Sequence, residues 1–169
     1  MFKKISLLIL LLIYSFKAIA LIEVDITRGN LDPLPLAVSP LSIDDKSKKE
    51  FQKILKKENI GSEISTIVEN NLKTSGLFDP LSKDAFLQAP DIANLKPRFE
   101  DWNLIKAQAL ITGKVSLIDK KLRVEFRLWD VLAAKEMMAL AFTTVPNNWR
   151  RVGHIISDKV YERLTGEKG

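Results

Sequence analysis

The sequence has 169 residues, 46% of them hydrophobic, with 26 Lys and Arg against 21 Asp and Glu, one histidine and no cysteine. That length and apolar content suit one folding domain and exclude a disordered chain. Without cysteine there are no disulfides, thiolate nucleophiles or thiolate metal sites.

Residues 1–20, MFKKISLLILLLIYSFKAIA, read as a secretory signal peptide cleaved after Ala20. Lys3 and Lys4 precede the apolar run Ile5 to Phe16, and Ala18-Ile19-Ala20 supplies the small-x-small site. The run spans 12 residues, short of the roughly 20 a membrane-crossing helix needs. The expected location is outside the cytoplasm. The formal charge of +5 includes Lys3, Lys4 and Lys17, with no acid among those twenty residues. The remainder therefore carries 23 basic and 21 acidic side chains, or +2, and no nucleic-acid partner is expected on charge grounds.

Leu21 to Thr27, LIEVDIT, alternates apolar and acidic residues at period two, as a strand does, before Arg28-Gly29-Asn30. Pro33, Pro35 and Pro40 bracket the short run Leu36 to Ser39. Residues 21–35 are thus expected to form an extended segment hanging loosely ahead of a domain over 36–169. The lysine-rich stretch 46–57 reads as an amphipathic helix with a thin stripe of Phe51, Ile54 and Leu55, its lysines a solvated face. A second helix is predicted from Ser62, as N-cap, to a left-handed Gly76, with Ile64, Ile67, Val68 and Leu72 inward. Asp79-Pro80 reads as a turn, and 81–98 as a loop, alternatively one that holds a helical turn.

EDWNLIKAQ predicts another helix, from Glu100 to Gln108. Residues 109–117 predict a strand, Ile118 to Lys121 a hairpin turn, and LRVEFRLWD a second strand. In that strand Leu122, Val124, Phe126 and Leu128 share one face, and Arg123, Glu125, Arg127 and Trp129 the other. KEMMALAFTTV, after a turn at 131–134, completes an antiparallel meander. The final helix places Trp149, Val152, Ile155, Ile156, Val160 and Leu164 on one side, with His154 nearly opposite Val152 and beside Asp158 and Tyr161. The order β-α-α-β-β-β-α predicts an α/β fold: a small mixed sheet with about two or three helices packed on one face.

Chemistry-bearing patterns are sparse. One histidine cannot supply a zinc site, and no acidic run has calcium-loop spacing. No G-x-S-x-G elbow accompanies His154, whose i, i+4 spacing to Asp158 suits a surface pair. The adjacent pairs Asp44-Asp45 and Glu100-Asp101 do not converge on one substrate. Gly61, Gly76 and Gly113 are isolated, so there is no phosphate loop. The best candidate for binding nucleic acid or an anionic envelope surface is Arg123, Arg127 and Trp129, joined by Arg150 and Arg151. Against it stands simple packing of Trp129 and the arginine stems. The residues therefore describe an exported interaction module, with no catalytic residue, cofactor or metal.

Five collinear stretches then carry a resemblance: IEVDITRG with PLPLAVSP, IVENNLKTSGLFDPL, DWNLIKAQALITGKV, LRVEFRLWDVLAAKEM and WRRVGHIISDKVYERLTGEKG. In this order they resemble the N-terminal domain of the TolB family of the Tol–Pal envelope system. The resemblance implies an α/β domain similar to the anticodon-binding domains of some synthetases. It implies a non-enzymatic periplasmic adaptor serving outer-membrane integrity and invagination during cell division. It also implies that Leu21, Ile22, Glu23, Val24, Asp25, Ile26 and Thr27 engage a TolA-like inner-membrane protein. In the family a six-bladed β-propeller follows this domain and meets the lipoprotein Pal. The sequence stops at Gly169, so the expectation is a fragment, a truncated product or one half of a split gene, with Pal contact only where a propeller is supplied.

Overall fold

The computed structural model describes residues 22–24 and 32–168. The expected signal peptide, together with Leu21 and Asp25 to Thr27, lies outside them. The sheet strands are β1 (Leu34–Val38), β2 (Ser42–Ile43), β3 (Phe78–Pro80), β4 (Ala109–Ile118), β5 (Lys121–Asp130) and β6 (Lys135–Thr144). The helices are α1 (Asp45–Leu55), α2 (Ile60–Thr74), the short α3 (Pro90–Leu95) and α4 (Phe99–Leu104), and α5 (Trp149–Thr165).

The sheet runs β3-β1-β4-β5-β6, with β2 also paired to β4. β1 lies parallel to β3 and β4, while β4, β5 and β6 form the expected antiparallel meander. Asp119 and Lys120 both take positive φ, 48° and 61°, the geometry that lets a two-residue turn follow the twist of its strands.

Strand alternation sends Leu122, Val124, Phe126 and Leu128 to one face, where all are buried. Against them pack Phe51 of α1, Ile64, Val68 and Leu72 of α2, and Val152, Ile156, Val160 and Leu164 of α5. Each such side chain contributes about 1.5–3 kcal/mol when fully buried. The three longer helices thus cover one face of a mixed sheet, as the sequence predicts. The opposite face adds a smaller cluster, with Ala37 and Leu110 of the sheet under Ala93 of α3 and Trp102 of α4. Phe86 meets Trp102 edge-on, with centroids 5.0 Å apart.

Several local expectations change. Asp79-Pro80 belongs to an edge strand, because Phe78 is pulled into register opposite Leu34. A proline is tolerated there, where one side of the strand has no neighbour. α2 begins at Ile60 after Asn59, ahead of the expected cap Ser62, and no side chain caps it. Its first turn instead presses on the backbone at Leu41: a Cβ on Gly61 would lie 2.0 Å from the Leu41 carbonyl oxygen. Gly76 takes the predicted left-handed conformation, φ 75°. The Trp102 helix stops at Leu104, because Lys106 turns left-handed (φ 64°) and Ala107 N–H returns to the Trp102 carbonyl. The 81–98 loop does hold a helical turn, α3, behind Pro90, a residue preset for a first helical turn.

Candidate partner-binding segment and the surfaces around it

Of the predicted partner-binding residues, Ile22, Glu23 and Val24 are described, and they do not hang free. Ile22 N–H donates to Asp130 Oδ2 at 3.1 Å. Val24 N–H donates to the Leu164 carbonyl at 2.7 Å. That carbonyl lies in the last turn of α5, where backbone acceptors lose their helical partners and need others. The Ile22 and Val24 side chains, half-buried, pack against the main core. Glu23 faces outward over a groove with Met138, Lys159, Glu162 and Arg163. The period-two reading of the side chains therefore holds, but these three residues form no strand. They bridge the end of β5 and the end of α5.

Asp130 is the anchor. It is 1% exposed, and its second oxygen accepts Ala133 N–H at 2.8 Å. One carboxylate thus holds both the β5–β6 turn and the incoming segment. Sequence reasoning missed it, although the signal is present: Asp130 continues the Leu122, Val124, Phe126, Leu128 series. An acid in phase with buried residues needs donors, and here backbone amides supply them.

The basic candidates do not converge. Arg123 pairs with Glu125 at 2.7 Å and Arg127 with Glu136 at 3.2 Å. Trp129 donates Nε1–H to Thr112 at 2.9 Å and meets Phe99 edge-on, so it packs rather than offering a stacking platform. Arg150 and Arg151 ride on α5, which covers the other face of the sheet. Arg150 lies 4.3 Å over the Trp149 ring. On α1, helical phase puts Lys46, Lys49 and Lys53 opposite buried Phe51, and all three are exposed. Lys53 pairs with Glu50 at 2.7 Å, as a solvated helix surface commonly does.

His154 Nδ1 lies 2.8 Å from Asn71 Nδ2, and the same amide reaches Ser157 Oγ at 2.8 Å. With the amide donating, Nδ1 accepts. The histidine thus joins α5 to α2, and the Ser157 hydroxyl beside it donates to the Gly153 and His154 carbonyls. Among the described residues no group of three or more His, Cys, Asp or Glu could hold a metal ion. No described helix is long and apolar enough to cross a membrane.

Residues 22–137 match the family model of the TolB amino-terminal domain. The chain belongs to this family. It is 80% identical over 163 residues, 96% of its length, to the Tol-Pal system protein TolB of Pelagibacter ubique (strain HTCC1062), covering 36% of that protein. The fold is also similar to the crystal structure of TolB from Acinetobacter baumannii. There the TM-score is 0.64 at 22% identity, covering 85% of this chain and 31% of that one. The chain thus spans about a third of the length of these TolB relatives. At the lower identity the likeness concerns the fold alone.

Proposed function

We propose that the chain serves as a non-enzymatic periplasmic adaptor of the Tol–Pal system, acting through protein–protein contact. The observation that carries this reading is the 80% identity to a Tol-Pal system protein TolB across nearly the whole chain. In this reading Leu21 to Thr27 is the partner-binding segment, and it engages a TolA-like inner-membrane protein by adding a strand to the partner's sheet. Alternating apolar and acidic side chains suit that mode, in which the backbone supplies affinity and alternate pockets supply specificity. Contact with a Pal-like lipoprotein belongs to a propeller. The adaptor would then link the inner membrane to the outer-membrane and peptidoglycan side, maintaining outer-membrane integrity and invagination at division.

The same backbone groups cannot serve two partners. Ile22 N–H and Val24 N–H must leave Asp130 and Leu164 before they enter another sheet, so partner binding competes with docking. The test titrates the soluble C-terminal domain of a TolA-like protein into the full chain and into a chain lacking residues 21–27. Binding heat is expected with the first and none with the second, both forms unfolding cooperatively. Equal binding by the shortened chain refutes the assignment.

A further inference from the structure

Among the described residues, β6 is the long free edge of the sheet. A strand edge with unpaired N–H and C=O groups is a template for another strand, and proteins normally blunt it with charge, proline or a bulge. Here the blunting is confined to one end. The register passes from Leu128 opposite Met138 to Trp129 opposite Glu136, so Met137 is a bulge residue. Arg163 Nε–H donates to its carbonyl at 3.4 Å. From Met138 to Thr144 the pairing is regular, with no charged residue and no proline.

The two faces flanking this edge differ. Toward α5, β6 presents Met138, Leu140 and Phe142, which share the face of Leu128, Phe126 and Val124 opposite them. Leu140 is 37% exposed. Arg151 and Ile155 of α5 border Phe142 along this seam; among the described residues Arg151 has no carboxylate within 4.0 Å. Away from α5 the edge carries only Ala139, Ala141 and Thr143, all exposed. Behind these small side chains stand Arg127, Glu125 and Arg123 of β5.

We propose that Met138–Thr144 of β6 is a second interaction surface, which takes an extended peptide in which apolar residues alternate with acidic ones. Pairing with every second backbone group of β6 would send one set of side chains into the Met138–Leu140–Phe142 groove. The other set would lie over Ala139 and Ala141. Strands sit about 4.8 Å apart, so a glutamate there reaches past an alanine to Arg127 or Arg123 in exchange for Glu136 or Glu125, whose pairs with them are half-exposed and contribute about 1 kcal/mol or less. Arg151, exposed and bordering Phe142, adds a positive charge at the edge of that groove.

The probe is a capped synthetic peptide, VEVEVEV, compared with VKVKVKV by NMR titration of the full chain and amide exchange. The acidic peptide is expected to protect alternate amides within 138–144, to bind about tenfold tighter than the lysine peptide, and to weaken with salt. Ala141→Glu should lower its affinity about tenfold through like charge. Ala141→Lys should retain binding, with both variants keeping the parent melting temperature. Protection absent from β6, equal binding of the two peptides, or indifference to Ala141→Glu overturns the proposal. Edge amides already protected without peptide overturn it too, because another occupant then holds the strand.

Discussion

Replacing Asp130 with asparagine tests whether one buried carboxylate ties the amino-terminal segment to the domain. Asp130 accepts Ile22 N–H and Ala133 N–H through separate oxygens. Asparagine offers one oxygen and turns an amide group toward the other donor. A hydrogen bond to a charged acceptor contributes about 1.5–3 kcal/mol, and a buried donor left unpaired costs a similar amount. With Ile22 also loosened from the core, the expected loss is about 2–3 kcal/mol, which lowers the melting temperature by about 6–9 °C for a domain of this size. The assay is a double-mutant cycle: Asp130→Asn in the full chain and in a chain lacking residues 21–24, followed by thermal and urea unfolding. In the shortened chain only the Ala133 bond is at stake. The substitution should then cost about 1 kcal/mol or less, because one oxygen of asparagine still serves that donor. Equal losses in both backgrounds would refute the bridge between segment and domain.

Three further substitutions probe how the domain holds its elements. Ser65 is 1% exposed, accepts Leu41 N–H at 3.0 Å and lies 3.0 Å from the Ser39 carbonyl, so Ser65→Ala should destabilise by about 1–3 kcal/mol in urea unfolding. Gln88 Oε1 accepts both Arg98 N–H and Trp102 Nε1–H, while its amide donates to the Lys96 carbonyl. Gln88→Leu should speed amide exchange across residues 86–104 and leave β5 and β6 protected. Asp44 caps α1: the Ser47 backbone N–H foremost, against a smaller opposing burial effect, holds its carboxyl below the usual 3.8. A lowered folded-state value means this stabilisation is present above about pH 4 and fades as pH falls through the folded value. Asp44→Ala should therefore cost about 1 kcal/mol at pH 7, and the gap between variant and parent should narrow as pH falls through the folded value.

What could be read from the sequence was whatever repeats along the chain. The period-two run Leu122 to Leu128 specifies both faces of β5, and the 3.6-period stripe from Trp149 to Leu164 specifies how α5 lies on one of them. The meander and its turns follow because their contacts are local. Long-range pairing left weaker traces. β3 holds only Phe78, Asp79 and Pro80, too short to show a period, and it is a strand only because β1 lies beside it. Ser62 looked like a helix cap, but α2 was already committed by the approach of its first turn to Leu41. The arginines of β5 share a face with Glu125 that was legible in the alternation, whereas Glu136 reaches Arg127 only through the pairing of β5 with β6. Among the partner-binding residues the alternation was legible. Their anchorage was not, since it rests on Asp130, 108 residues away from Ile22.

The docked segment and the free edge meet at one end of the same seam. Glu23 shares a groove with Met138 and Arg163, and Met138 is where the regular pairing of β6 begins. The bulge at Met137 and the Arg163 contact close the edge on the side that Ile22 to Val24 already occupies. The open stretch runs the other way, toward Thr144. A peptide added there need not displace Ile22 from Asp130, whereas a partner that takes Leu21 to Thr27 must. Deleting residues 21–27 should thus abolish binding of the TolA-like domain while leaving VEVEVEV bound to β6. A single site serving both would lose both together.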